Sequence, residues 1–512
     1  MGRTVKRRPR VLIVNAYVHP WRSATPSRLF IPRAMAPYHL AGAFDPTRVD
    51  VRVHEEVYDG AFLDPKLYAW PDVLILTGLT AAFDRARQIA AYVRNARPDA
   101  VTVIGGPIAR ALPKLCRQIY DYVCRGDVDE IAAVGRDILG PDAIAETSVP
   151  RFDLTGGPGL VGYLETTVNC NFACAFCSLT GENRAYRTHP LADLSRQIEA
   201  MGRVRVLALL DNNFYGSSRA GFIARTELLG EHWRRGAYRG WIALVTGDFF
   251  AREENIAFVA KHGCIGLFSG VESLDPAVLK SYNKRQSLLL EPGRLSRACA
   301  EHGIVFDYGL LFDFGAETVA SASAQIDHIL SDPEVPLPAF LSLTIPILGT
   351  PYFDTAVQAR RLMPNLRLAD LDGRKLVEWP KEPLETVAPF VRDLLMLRGR
   401  KARLARHAVA HALTRRRAYR IDQTLFNLVR PMVAYGTTVR VGTARQMLHG
   451  LREAPLTACA MTDPLSAMYT PNVPLASRFE ADFQPLHLTD EHGALTDTVA
   501  NRLDTPLAAA AS

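Results

Sequence analysis

Short, nearly continuous apolar runs, each followed by a helix-like stretch, constrain this 512-residue chain more than any other feature. Val11-Leu12-Ile13-Val14, Val73-Leu74-Ile75-Leu76 and Val101-Thr102-Val103-Ile104 are runs of this kind. A strand apolar on both sides has to be covered on both faces, as strands of parallel sheets are. Between the second and third runs Phe83, Ala86, Ala90 and Val93 recur at helical spacing. Strand, helix and strand in that order predict a doubly wound, Rossmann-like parallel sheet over residues 1–150. Thr77-Gly78 ends the second run and Gly105-Gly106-Pro107 the third. Glycines at the carboxyl ends of such strands suit a ligand lying across the crevice. Tight turns alone would also account for them.

Gly156-Gly157-Pro158-Gly159 is a cluster of chain breakers and marks a boundary. Beyond it, candidate strands at 163–168, 204–210, 241–245, 265–268, 305–311 and 340–344 alternate with helical segments. Six such units predict a partial, TIM-like β/α barrel over 151–380, with its site at the strands' carboxyl ends. Residues 381–512 are expected to be mainly helical to about 451 and irregular after 454. The Ala-rich stretch 505–512 is expected to be disordered.

Composition then removes several classes. Hydrophobic residues make up 48% and charged residues 22%, as in a globular protein. No apolar run approaches the roughly 18 residues that span a bilayer, and a cytoplasmic location is expected. The net charge of +7 has a local source. Nine Lys/Arg and no Asp/Glu lie between 398 and 420, which exceeds the whole surplus. The remainder is near neutral, so no nucleic-acid partner is expected. The basic stretch reads either as a solvated helix face or as a contact for an acidic substrate, a carrier protein or an anionic membrane surface.

Of eight cysteines, Cys116, Cys124, Cys264, Cys299 and Cys459 are scattered and read as buried small apolar residues. The other three are crowded into Asn169-Cys170-Asn171-Phe172-Ala173-Cys174-Ala175-Phe176-Cys177. A C-x3-C-x2-C loop wraps thiolates around three corners of an iron–sulfur cube and leaves the fourth iron open. An open metal position invites a substrate to coordinate there. The competing reading is a zinc site, but zinc in structural sites takes four protein ligands and no fourth follows at short spacing.

These cysteines, with an aromatic residue directly before the third and a strand directly before the loop, resemble the signature of the radical S-adenosylmethionine superfamily. Later segments are similar in order. Leu210-Asp211-Asn212-Asn213-Phe214 closes the second barrel strand and Ser269-Gly270-Val271-Glu272-Ser273 the fourth. Leu279, Lys280 and Lys284 then follow as in that family. The segment 312–318 departs from the family's fifth-strand pattern, and Leu348 stands where relatives carry proline in 345–351. The resemblance implies a [4Fe–4S] cluster on Cys170, Cys174 and Cys177. S-adenosylmethionine would chelate the open iron and yield a 5′-deoxyadenosyl radical on one-electron reduction. It further implies cosubstrate contacts from Asp211, Asn213, Gly270 and Glu272, and an electron donor such as flavodoxin or ferredoxin.

Ile104-Gly105-Gly106-Pro107 and Tyr122-Val123-Cys124-Arg125-Gly126-Asp127 resemble the branch with an N-terminal cobalamin-binding-like domain. Thr77, Gly78, Gly105 and Gly106 would then face the corrinoid. The D-x-H-x-x-G motif of many cobalamin proteins is absent from 1–150: His19 has neither Asp nor Gly at the required offsets. Two expectations stay open. One is a cobalamin-dependent methyltransferase on a small or lipid-like metabolite. The other is a radical cyclase, rearrangement or oxidation enzyme whose first domain is vestigial. RNA methylthiotransferases are similar but carry cluster cysteines in their first domain, which Cys116 and Cys124 do not supply. No residue is assigned as a second hydrogen donor.

Overall fold

The structure is a computed structural model that describes residues 7–17, 33–155, 160–288, 290–373, 375–395, 399–434 and 469–500. The boundary glycines 156–159, His19, Arg398, Cys459 and the Ala-rich end lie outside the described residues. The chain forms two compact units. One comprises 1–157, 357–377 and 441–512, the other 158–356 and 378–440. Residues beyond 380 are thus divided between the two.

In the first unit five parallel strands lie in the order β2-β1-β3-β4-β5. They are β1 (Arg10–Asn15), β2 (Asp50–Glu55), β3 (Val73–Thr77), β4 (Val101–Ile104) and β5 (Tyr122–Val123). The apolar runs are the central strands β1, β3 and β4. Val11, Ile13, Val73, Ile75 and Val103 pack with Ala41, Phe44 and Ile131 in one buried cluster. Strand order reverses between β1 and β3, the topological switch point at which open α/β sheets bind ligands.

The helix Phe83–Ala96 is buried from Phe83 to Val93 although it carries Asp84, Arg85, Arg87 and Gln88. Long-range partners make that burial tolerable. Tyr469 donates to Asp84 at 2.7 Å, Arg87 pairs with Asp84 and bonds the Gln484 carbonyl, and Arg85 pairs with Glu56 at 2.7 Å. Asn472 N–H donates to the Tyr92 hydroxyl at 3.0 Å. A buried charge without such a partner would cost several kcal/mol.

In the second unit six parallel strands curl into a half-barrel in the order β13-β12-β11-β10-β9-β6. They are β6 (Val161–Leu164), β9 (Val206–Leu209), β10 (Trp241–Leu244), β11 (Cys264–Glu272), β12 (Val305–Phe312) and β13 (Phe340–Leu343). Alternation along these strands separates the faces. Leu164, Leu207, Trp241, Leu267, Tyr308 and Leu341 are buried, whereas Ile242 and Phe340, in the opposite register, are exposed.

The strand expected at 163–168 breaks in two. β6 ends at Leu164, and β7 (Thr167–Val168) pairs antiparallel with β8 (Arg187–Thr188) instead. The break has a cause: the Asp211 carboxylate takes the N–H groups of Thr166 and Thr167 out of the ladder. Cys116, Cys124, Cys264 and Cys299 are buried, as small apolar residues would be.

Helices Leu384–Leu395, Lys401–Arg415 and Ile421–Ala434 fall in the second unit. The basic stretch is partly neutralised there. Arg403 pairs with Asp327 and Arg415 with Glu334, both at 2.6 Å, and Arg400 reaches Ser323 and Asp327. Among the described residues no helix is long and apolar enough to cross a membrane.

Candidate functional site

The cysteine loop 170–177 leaves the barrel between β7 and the short helix Ser178–Glu182. Asn169 enters it with φ +66°, a left-handed conformation that asparagine tolerates better than most residues. Its Oδ1 accepts from the Cys170 N–H at 2.8 Å, and its amide donates to the Arg184 carbonyl. The Cys177 N–H then closes on the Cys174 carbonyl at 3.1 Å. Cys174 is buried, while Cys170 and Cys177 are partly exposed.

Neighbouring strand ends tether this loop. Asp211, fully buried after β9, accepts from Thr166 N–H at 2.6 Å, Thr167 N–H at 2.7 Å and the Thr166 hydroxyl at 2.6 Å. Burial pushes its carboxyl up to about 6 against those hydrogen bonds. Asn213 donates to Asn171 within the loop at 2.7 Å. From beyond β11, the Tyr282 carbonyl accepts from Ala175 N–H and Asn283 donates to the Ala173 carbonyl. Tyr352 N–H donates to the Ala175 carbonyl at 3.0 Å.

The end of β11 faces the thiols. Glu272 sits at a register shift with φ +66° and pairs with buried Lys284 directly over Gly270, where any side chain would collide with the pair. Burial works against the Lys284 charge, but Glu272 and the thiols of Cys174 and Cys177 hold its proton on, and its pKa is raised. Gln286 donates to the Cys174 sulfur at 3.3 Å. A left-handed non-glycine residue costs about 1–3 kcal/mol and persists where its surroundings over-determine it.

The donor chemistry fits an iron–sulfur cube. Three thiols share one loop, and burial raises the Cys170 thiol to about 11 and the Cys177 thiol as well. Such thiols ionise when a metal takes the proton's place, and Lys284 stands ready to offset the negative charge that results. Buried polar atoms lacking a partner occur at the Thr180 hydroxyl and Asn213 Oδ1, on residues flanking the loop, and at the Ser269 hydroxyl in β11. Buried groups of this kind are normally satisfied, so they fit a polar ligand.

Within the first unit Thr77, Gly78, Gly105 and Gly106 come together at the carboxyl ends of β3 and β4. A β-carbon on Gly78 would stand 2.8 Å from the Ala16 carbonyl. One on Gly106, at φ +87°, would stand 2.9 Å from the Gly78 carbonyl and 3.4 Å from the Thr77 hydroxyl. Gly105 has only ordinary contacts. At this edge, beside the switch point between β1 and β3, backbone packs directly on backbone and only glycine fits at positions 78 and 106.

Sequence reasoning missed Asn171, Gln286, Tyr282, Asn283 and Tyr352. It also missed the clamp in which Glu317 accepts from Asp313 N–H and Gln325, while Gln325 accepts from Leu274 N–H at the β11 exit. Burial lifts Glu317 to about 7. The Gln and Glu types at the 312–325 turn were visible, but nothing local announced their partners.

A half-barrel with three cysteines on the loop after its first strand defines an iron–sulfur enzyme of the radical type. Residues 164–304 match the radical SAM superfamily. That segment is a radical SAM domain, a type that works with a [4Fe–4S] cluster and S-adenosylmethionine. It is similar to the hopanoid C-2 methylase of Rhodopseudomonas palustris (strain TIE-1), at 24% identity over 350 residues. That match covers 63% of this chain and 64% of the methylase, just under two thirds of its length. Among solved structures, the cobalamin-dependent S-adenosylmethionine radical enzyme OxsB superposes with a TM-score of 0.55 at 14% identity, over 93% of this chain and 77% of that one. The radical S-adenosylmethionine methyltransferase TsrM from Kitasatospora setae, with cobalamin and a [4Fe–4S] cluster bound, gives 0.51 at 16% identity, over 70% and 77%. At these identities the likeness is one of fold.

Proposed function

We propose that this chain is a cobalamin-dependent radical SAM methyltransferase acting on a small or lipid-like metabolite. The observation that carries the reading is the pairing of two sheet edges in one chain: a tethered three-cysteine loop and a glycine-cleared switch point. The likeness to the hopanoid methylase and to TsrM supports it. Cys170, Cys174 and Cys177 would hold the cluster, which when bound supplies the electron that cleaves S-adenosylmethionine. Asn213, Gly270 and Glu272 would line the cosubstrate, and Asp211 would keep the loop in register through Thr166 and Thr167. Thr77, Gly78, Gly105 and Gly106 would carry the corrinoid, which when bound supplies the transferable methyl group. Enclosing a carbon radical requires water to be excluded from the site. A reductant such as flavodoxin or ferredoxin would serve as electron donor.

Anaerobic reconstitution with iron, sulfide and hydroxocobalamin, followed by metal, sulfide and corrinoid analysis of the desalted protein, tests this reading. Four irons with one retained corrinoid are expected. Four irons without corrinoid would favour the second reading, a radical cyclase, rearrangement or oxidation enzyme with a vestigial first domain. One feature speaks for that alternative: His54, in the first unit, spends its Nε2 on the Gly60 carbonyl, and the D-x-H-x-x-G motif is missing.

A further inference from the structure

Soluble proteins rarely leave a row of large apolar side chains in water, yet the helix Ile421–Ala434 does so. Ile421 is 82% exposed, Leu425 54% and Val429 41%, at intervals of four residues on one stripe, with Phe426 beside them at 45%. Gln423 anchors the opposite side by donating to the carbonyls of Ile265 and Gly303. Arg430 pairs with Asp307 at 3.3 Å. These partners precede or lie early in β11 and β12, so the helix closes the amino end of the half-barrel, opposite the cysteine loop.

Ile421 and Leu425 also line an open surface depression of about 520 Å³ together with Arg205, Arg239, Arg420 and Asp422. Three cations face one carboxylate there: Arg420 holds it at 3.1 Å and Arg205 reaches it at 4.0 Å, which leaves the group with a net positive charge. The preceding helix repeats the pattern, with Val409 and Leu413 exposed between exposed Arg406 and Arg416-Arg417. Apolar side chains flanked by arginines that outnumber the carboxylate among them match the boundary of an anionic bilayer, where acyl chains meet phosphate.

We propose that this end of the half-barrel docks on an anionic phospholipid surface through Ile421, Leu425, Phe426 and Val429, with Arg205, Arg239 and Arg420 on lipid phosphates. Charge complementarity selects that occupant: a second copy of the chain would bring the same arginines against each other. The stretch at 398–420 was the sequence-based candidate. Three of its cations, Arg400, Arg403 and Arg415, are engaged by side chains of the barrel, so the docking surface keeps Arg420 at its end and runs along the next helix. The proposal does not depend on the cluster or on the reaction.

Full-length protein is floated with vesicles of phosphatidylcholine alone or with roughly one-third phosphatidylglycerol, where each surface cation contributes about 1 kcal/mol, a fivefold change in partition. Capture by the anionic vesicles only, reversed by salt, is expected. I421E/L425E should lower partition more than tenfold, and R239Q/R420Q about tenfold or more, with thermal midpoints unchanged. Equal capture by both vesicle types, capture by neither, or variants that bind like the parent would overturn the proposal. A thermal midpoint lowered by I421E/L425E overturns it too, since the stripe would then be covered by the chain itself. A dimer in sedimentation that these substitutions dissociate, without vesicle capture, assigns the face to a second copy.

Discussion

The two sheets present their carboxyl edges in opposite ways. At β3 and β4 the edge is nearly bare: Gly78 and Gly106 bring backbone against backbone, with only the Thr77 hydroxyl beside Gly106. At β6, β9 and β11 the edge is crowded with Asp211, Asn213, Glu272 and Lys284, each committed to the cysteine loop or to a partner beside it. A broad ligand held mainly by shape needs clearance, and backbone supplies the wall. A small reactive group on a loop needs its ligands fixed to a fraction of an ångström, and a flexible loop gains that only through tethers. Clearance and tethering are therefore separable, and substitutions should damage one edge without the other.

The largest effect is expected from C174A. Iron content after anaerobic reconstitution should collapse, and with it all reductive cleavage of S-adenosylmethionine, while corrinoid retention stays at the parent level. Loss of both together would show that the edges are not independent.

D211A should come next. It leaves two buried N–H groups unpaired at about 1–3 kcal/mol each, which chemical denaturation would report. D211N can keep both acceptor contacts and should fold nearly as well. The pair also sets a pH test. The folded-state pKa of Asp211 is raised to about 6 from the ordinary carboxylate value. The stability this gives is complete below the unfolded pKa and is lost as pH rises through 6. At about 1.4 kcal/mol per unit, the parent should lose on the order of 3 kcal/mol from pH 4 to above 6. D211N should not lose this increment, and equal pH slopes for the two proteins would refute the assignment.

G106V attacks the cleared edge. It should weaken corrinoid retention at least tenfold and cost more than about 1–3 kcal/mol, because φ +87°, ψ −171° is a region essentially confined to glycine and the new β-carbon would also meet the Gly78 carbonyl, with iron content unchanged. Retention equal to the parent would remove the corrinoid from this edge.

The smallest effects concern the field at the thiols. K284M should lower the midpoint potential of the reconstituted cluster and E272Q should raise it, each on the order of tens of millivolts. Potentiometric titration followed by electron paramagnetic resonance reads both. Shifts of the same sign would mean that the pair acts by packing alone.

Much of this was legible in the residues. The runs 11–14, 73–76 and 101–104 became β1, β3 and β4, and six barrel strands appeared in the expected order. The cysteine loop lay where a strand gives way to a short helix. β2 was not visible, because Asp50–Glu55 is an edge strand of mixed polarity whose side chains are mostly half-buried or exposed. β5, two residues long, carries no period at all.

Local pattern therefore determined the strands, the parallel sheets and the three thiols, since each is a property of neighbours within one element. Only the tertiary structure decided what holds them. Asp211 meets Thr166 across 45 residues, Gln286 meets Cys174 across 112, and Tyr469 meets Asp84 across 385. The same distances explain why the helix Phe83–Ala96 reads as half polar yet lies buried, and why Lys284 stands beside the thiols. Periodicity records which face of an element is covered. It carries no term for the distant residue that covers it, and that choice is made only when the chain closes on itself.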